Sequence, residues 1–207
     1  MLENESEWLI KAQKGDSQAF GYLVENYQRP VYNLCYRMLG NPQDAEDAAQ
    51  ETFLRAYKSM RRYDNQRSFS TWILSIAAHY CIDQIRRRRY PVVSVEDMTM
   101  PDLPDTSPGL ETRLSRKEEQ RRVRAILNVL EPVDRAAVVM YYWYDFSYQE
   151  ICEALSLTTS AVKSRLHRAR RAMAQEWLDR QPQTALGAEQ RGAKARPESL
   201  MVERMTP

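Results

Sequence analysis

The sequence predicts an all-α fold: two small helical domains joined by a flexible acidic linker, the C-terminal one a helix-turn-helix. Three observations predict it. Apolar residues recur at helical spacing from about Asp16 to residue 90 and again from about Leu114, and capping residues bound the stripes. Between these blocks, residues 91–112 hold four prolines and five carboxylates with no Lys or Arg, the composition of an extended segment. Residues 147–173 then place a short capped helix before a basic second helix across a tight turn. The expected division is 1–90, linker 91–112, 113–180, and a disordered tail over 181–207.

In chain order, Asp16 caps a helix whose stripe is Phe20, Leu23, Val24, Tyr27, Val31, Leu34 and Met38. Pro30 is expected to bend or interrupt it. Gly40 is a stop, Asn41 a cap, and Pro42 sits where proline is tolerated at a first helical position. The next helix is expected from Pro42 to Met60, with Ala45, Ala49, Phe53, Ala56, Tyr57 and Met60 facing a core. Asp44, Asp47 and Glu51 share its other face. Spacing alone favours a solvated face with carboxylates near the positive helix end. A docking surface for a basic partner is the alternative.

Residues 63–70 form a polar loop containing aromatics, and Ser70 is expected to cap the following helix. Trp72, Ile73, Ile76, Ala77 and Tyr80 should pack on one side of it, and it ends in Arg86–Arg89. Polar and aromatic residues beside a cationic helix suit single-stranded bases, which stack on rings while cations follow phosphates. At least one of Phe69 and Trp72 is expected in the core. Beyond the linker, Val123, Ile126, Leu127 and Leu130 form a stripe, and Pro132 starts a helix through Val133, Ala137, Met140 and Tyr141.

Ser147 and Glu150 make a capping box, with Ile151, Ala154 and Leu155 on one face. After the Ser156-Leu157 break, Thr158 or Thr159 caps the basic helix. Its apolar face is Ala161, Val162, Leu166, Ala169 and Met173. The opposite face carries Lys163, Ser164, Arg165, His167, Arg168, Arg170 and Arg171, with almost no carboxylates. Arginines so placed can pair with guanine edges or phosphates.

Composition narrows the function. Net charge is only +2 over 207 residues, so nucleic-acid binding must come from local patches. No apolar run is long enough to span a membrane and no secretory signal opens the chain. Cys35, Cys81 and Cys152 read as small buried residues of a reducing cytosol. His79 and Cys81 lack a second ligand pair, so no metal is expected. No phosphate-binding glycine loop or nucleophile–base set is visible, so neither an enzyme nor a cofactor is expected.

The order of these features resembles bacterial RNA polymerase sigma factors of the extracytoplasmic-function class, over about Asp16 to Glu176. The run Asp44-Ala-Glu-Asp-Ala-Ala-Gln-Glu-Thr-Phe-Leu-Arg-Ala-Tyr57 resembles the segment that binds the β′ clamp helices of core polymerase. Phe69-Ser-Thr-Trp-Ile73 resembles the start of the promoter-melting segment, and Ile82-Asp83 with Arg86-Arg87 its end. Ser147-Tyr148, Glu150-Ile151 and Val162-Lys-Ser-Arg-Leu166 resemble the C-terminal helix-turn-helix.

The resemblance implies polymerase contacts at Asp47, Gln50 and Glu51, reversing the preference drawn from spacing. It implies minus-10 contacts at Asn65, Arg67, Ser68, Phe69 and Trp72, with Arg86, Arg87 and Arg89 on upstream phosphates. It implies minus-35 contacts at Lys163, Ser164, Arg165, His167, Arg168 and Arg171. The partners implied are core RNA polymerase through the β′ clamp helices and β flap, promoter DNA, and, in some members, an anti-sigma factor. Three positions depart from the family pattern: His79 replaces a usual Asn, Ala78 a frequent Arg, and Asp145 a common Gly. The competing function is a helix-turn-helix regulator that binds operators alone as a dimer, which has no need of the stretch from Asp64 to Arg89. A nucleic-acid enzyme would need clustered carboxylates around a metal.

Overall fold

The computed structural model describes residues 2–89 and 121–180, with side chains over 5–88 and 121–180. No strand occurs among them. The linker 91–112, the restart of helicity near Leu114 and the tail 181–207 lie outside the described residues.

The N-terminal half contains α1 (Leu2–Gln13), α2 (Ser17–Leu39), α3 (Pro42–Ser59), a 3-10 turn (Met60–Arg62) and α4 (Phe69–Arg89). α2 is its centre and packs on α1, α3 and α4. Asp16 caps it as expected, accepting from the N–H groups of Gln18 at 2.9 Å and Ala19 at 3.0 Å. Pro30 does not interrupt it: the helix runs through to Leu39. A proline forfeits one intrahelical bond, and the complete burial of Val31, Leu34, Cys35 and Met38 holds the second half in line.

Gly40 closes α2 in the left-handed conformation at φ +77°, and Asn41 caps α3. A Cβ on Gly40 would lie 3.2 Å from Arg124 Cδ. Gly40→Ala is therefore expected to cost about 1 kcal/mol or more, read as a melting temperature lowered by roughly 2–4 °C.

α1 has no counterpart in the sequence expectations, although its buried Ala12 and half-buried Trp8 and Leu9 keep helical spacing. Tyr57, expected in the core, is 47% exposed, while Ala48 and Thr52 are buried instead. α4 also begins earlier than expected. The Trp72 N–H donates to the Ser68 carbonyl at 3.0 Å, so the cap position is Ser68 and not Ser70. Nor does α4 bury one side only. Ile73, Leu74, Ala77, Ala78, Cys81, Ile82 and Ile85 are all buried, because α2 and α3 cover part of the helix and α6 and α7 another.

The C-terminal half contains helical residues 121–128 (α5), α6 (Pro132–Trp143), α7 (Tyr148–Leu155) and α8 (Thr159–Asp179). α6 is its core element, with every residue from Asp134 to Met140 buried. Ser147 and Glu150 form the capping box, and Thr158 rather than Thr159 caps α8. Asp145 takes the left-handed conformation at φ 51°, as a glycine would, and so does Ser156 at φ 54°.

The two halves share one apolar core. Polar contacts reinforce the seam. Buried Arg135 donates to the carbonyls of Met38 at 2.6 Å and Asn128 at 3.1 Å. The Tyr144 hydroxyl donates to the Pro30 carbonyl at 2.6 Å, and Ser75 Oγ donates to the Ala154 carbonyl at 2.6 Å. The Arg37 guanidinium lies 5.0 Å from the centre of the Trp143 ring. Burial pushes the Tyr144 hydroxyl well above its ordinary pKa, so it stays a donor. Cys35 and Cys81 are buried free thiols on α2 and α4, and Cys152, expected to be buried, is partly exposed.

Candidate nucleic-acid interface

The basic helix α8 is held by Val162, Leu166, Ala169 and Met173, all buried. This burial turns Lys163, Ser164, His167, Arg168 and Arg171 outward, and all five are exposed. Lys163 Nζ lies 6.0 Å from the centre of the Tyr148 ring on α7. Arg165 and Arg170 differ from the others. Arg165 Nη1 lies 2.5 Å from Asp134 Oδ1 on α6. Arg170 Nε donates to the Tyr142 hydroxyl at 2.9 Å and stacks on Tyr141. The basic face thus receives a carboxylate from a neighbouring helix, whereas the carboxylates of α8 itself, Glu176 and Asp179, lie at its C-terminal end. Arg165 is held inward by that pair, which ties α8 to α6.

The loop between the 3-10 turn and α4 is fastened at several points. Asn65 Nδ2 donates to Gln13 Oε1 at 2.9 Å, and Gln13 Nε2 donates to the Tyr63 carbonyl at 2.6 Å. The Gln66 N–H donates to Asp64 Oδ1 at 3.0 Å, an Asx turn. The Tyr63 hydroxyl donates to the Arg67 carbonyl at 2.5 Å, and burial pushes its pKa up to about 12. Asn65, Arg67 and Ser68 stay exposed at the rim.

Phe69 is buried, with ring centres at 5.0 Å from Tyr27, 5.6 Å from Tyr63 and 5.5 Å from Trp72. It is a core residue that supports the loop and offers no ring face to a base. Trp72 is only half-buried, backed by Tyr63 at 4.9 Å. One aromatic is therefore the footing and the other is accessible. Along α4, Ala78 is fully buried and His79 is exposed, its Nδ1–H donating to the Ser75 carbonyl at 2.9 Å. Arg86 and Arg87 are exposed. The side chain of Arg89 lies outside the described residues. Arg88 grips Asp44 of α3 with two bonds, at 2.6 and 2.8 Å.

On α3 the acidic stripe is therefore not uniform. Asp44 is engaged by Arg88, and Glu51 is paired with Arg55 at 2.7 Å. Asp47 and Gln50 are exposed, in line with Leu54 at 55% and Tyr57 at 47% exposed. Positions 47, 50, 54 and 57 fall on one helix face, a mixed acidic and apolar ridge. Leu54 is the residue that the sequence expectations left out.

Among the described residues no helix is long and apolar enough to cross a membrane, and no cluster of three metal-ligating side chains occurs.

Residues 23–90 match Sigma-70 region 2, and residues 120–173 match Sigma-70 region 4. The chain is 35% identical over 182 residues to the ECF RNA polymerase sigma factor SigW of Bacillus subtilis, covering 82% of this chain and 94% of SigW. It is 32% identical to the ECF RNA polymerase sigma factor SigE of Mycolicibacterium smegmatis, covering 80% of this chain and 64% of SigE. In fold it is similar to CnrH, solved in complex with the cytosolic domain of CnrY. The TM-score is 0.66 at 22% identity, over 86% of this chain and 99% of that one. The sigma factor RpoE of Bartonella quintana, solved with the anti-sigma factor NepR, matches with a TM-score of 0.56 at 18% identity, over 78% of this chain and 98% of RpoE. By these matches the chain belongs to the extracytoplasmic-function RNA polymerase sigma factors, which act with RNA polymerase in promoter recognition for transcription initiation.

Proposed function

We propose the following division of labour within that activity. The N-terminal unit, residues 1–90, docks on core polymerase through Asp47, Gln50 and Glu51, joined by Leu54 and Tyr57. Its loop, with Asn65, Arg67, Ser68 and Trp72, takes bases of the opened minus-10 strand, while Arg86 and Arg87 neutralise upstream phosphates. The C-terminal unit, residues 113–180, reads the minus-35 duplex with Lys163, Ser164, His167, Arg168 and Arg171. The chain has no catalytic role of its own, works in the cytoplasm, and is held by an anti-sigma factor, as the sigma factor RpoE is solved with NepR.

The observation that carries this reading is the exposed ridge on α3. A regulator that binds operators unaided has no use for it. The test is run-off transcription on a genomic promoter library with core polymerase, beside duplex mobility shift without it. Core-dependent transcripts sharing one upstream motif are expected, with little shift of duplex by the free chain. Tight duplex binding without core, and no transcripts, would establish the operator-binding regulator instead.

A further inference from the structure

One carboxylate serves two arginines of α8. Asp134 stands in the first turn of α6, and its side chain is 9% exposed. Oδ1 lies 2.5 Å from Arg165 Nη1, and Oδ2 lies 3.5 Å from Arg168 Nη2. The two partners are unequal: the Arg165 side chain is 29% exposed and that of Arg168 is 61% exposed. Arg165 is thus an anchor. Arg168 is touched at one nitrogen only. A guanidinium has five N–H donors in a fixed fork, so most of the Arg168 fork remains free.

A free arginine samples many rotamers, and ordering one on binding costs affinity. A buried carboxylate 3.5 Å from one nitrogen offsets part of that cost and biases the direction of the fork. Because Arg165 ties the same carboxylate down, its position is itself fixed. Two guanidiniums on one carboxylate leave a net positive charge, so the patch still attracts DNA.

We propose that Asp134 is a positioning residue that aims Arg168 at its base pair and so sets minus-35 specificity. This rests on the reading above that Arg168 contacts a base. Removing the charge of this acidic residue should cost discrimination but not general affinity.

The test uses the full-length chain with core polymerase and the promoter that the run-off library returns. Each minus-35 base pair is substituted in turn. Transcription is measured for the wild type, Asp134→Asn, Asp134→Glu, Arg168→Ala and the double variant Asp134→Asn with Arg168→Ala. Arg168→Ala should relax one base pair. Asp134→Asn should relax that same base pair by about 5-fold or more, within the range of a bidentate contact. The loss should come chiefly from increased use of non-consensus promoters, because the patch gains positive charge. The double variant should lose no more discrimination there than Arg168→Ala alone, and Asp134→Glu should restore part of it.

A merely structural Asp134 gives another pattern: lower melting temperature and equal loss on every promoter, with discrimination intact. That pattern would overturn the proposal. So would a relaxed base pair different from the one that Arg168→Ala relaxes. If Arg168→Ala relaxes no base pair, the base-reading role and the proposal fall together. If Arg168→Ala relaxes one and Asp134→Asn does not, only the proposal falls.

Discussion

Exchanging Asp47 and Glu51 together for Lys is expected to weaken binding to core polymerase by about 100-fold or more, with helicity by circular dichroism unchanged. Like charges placed across an interface cost several kcal/mol, and α3 presents these positions outward. Asp47 is exposed and accepts a long hydrogen bond from Gln43 Nε2, at 3.5 Å. Glu51 is paired with Arg55, but Arg55 also lies over the Tyr80 ring at 4.8 Å and keeps that partner when Glu51 is replaced. The pair contributes only a few tenths of a kcal/mol to the helix, so the fold has little to lose. Asp44 behaves differently, because it holds Arg88 across α3 and α4. Asp44→Lys should therefore lower the melting temperature as well as the affinity. A pull-down with core polymerase, read against circular dichroism, separates the two. Unchanged affinity for the Asp47→Lys, Glu51→Lys chain would remove the ridge from the docking surface.

The second large effect is a split between Trp72→Ala and Arg168→Ala. Stacking on an aromatic ring is worth about 1–3 kcal/mol per base, and it is available only once the base has left the duplex. Trp72 has the geometry for this: one side rests on Tyr63 and Phe69, and the residue is only half-buried. Arg168 stands on the exposed face of α8 and meets duplex, opened or not. Transcription from a pre-melted promoter should recover Trp72→Ala by roughly tenfold and leave Arg168→Ala nearly as impaired as on duplex. Phe69→Ala is the control. Its loss empties a buried site beneath the loop and should cost about 3–5 kcal/mol of stability, which pre-melting cannot restore. Equal rescue of Trp72→Ala and Arg168→Ala would move the melting role to another stretch.

What was legible in the sequence is mostly local. Asn41, the Ser147–Glu150 box and Thr158 announce helix starts, because a cap acts on N–H groups two or three residues away. Stripes on α2, α7 and α8 were equally plain, since each of those helices buries a face. α4 was not, because a helix covered from more than one direction loses the period that an exposed face would give it. The site followed the same rule. The exposed face of α8 could be read from helical spacing. The anchoring of Arg165 could not, because its partner Asp134 stands 31 residues earlier in the chain. Asp44 and Arg88 are 44 apart, and nothing in either neighbourhood names the other. Ring stacking decided between Phe69 and Trp72, and that too depends on Tyr27 and Tyr63 arriving from elsewhere.

The seam between the halves sets a limit on reach. Elements centred near minus-10 and minus-35 are about 25 base pairs apart, roughly 85 Å of duplex at about 3.4 Å per pair. A compact body of about 150 residues has a radius of gyration of only about 15 Å. With α4 packed against α7, and Ser75 bonded to Ala154, one such body cannot lie on both elements at once. The covalent chain allows the separation: residues 90–120, fully drawn out at about 3.3–3.6 Å each, reach roughly 105 Å. Engaging both elements therefore means breaking the bonds from Arg135 to Met38, Tyr144 to Pro30 and Ser75 to Ala154. Whatever free energy those contacts hold is subtracted from the apparent affinity of any partner that needs the halves apart, and added to that of any partner that binds them together.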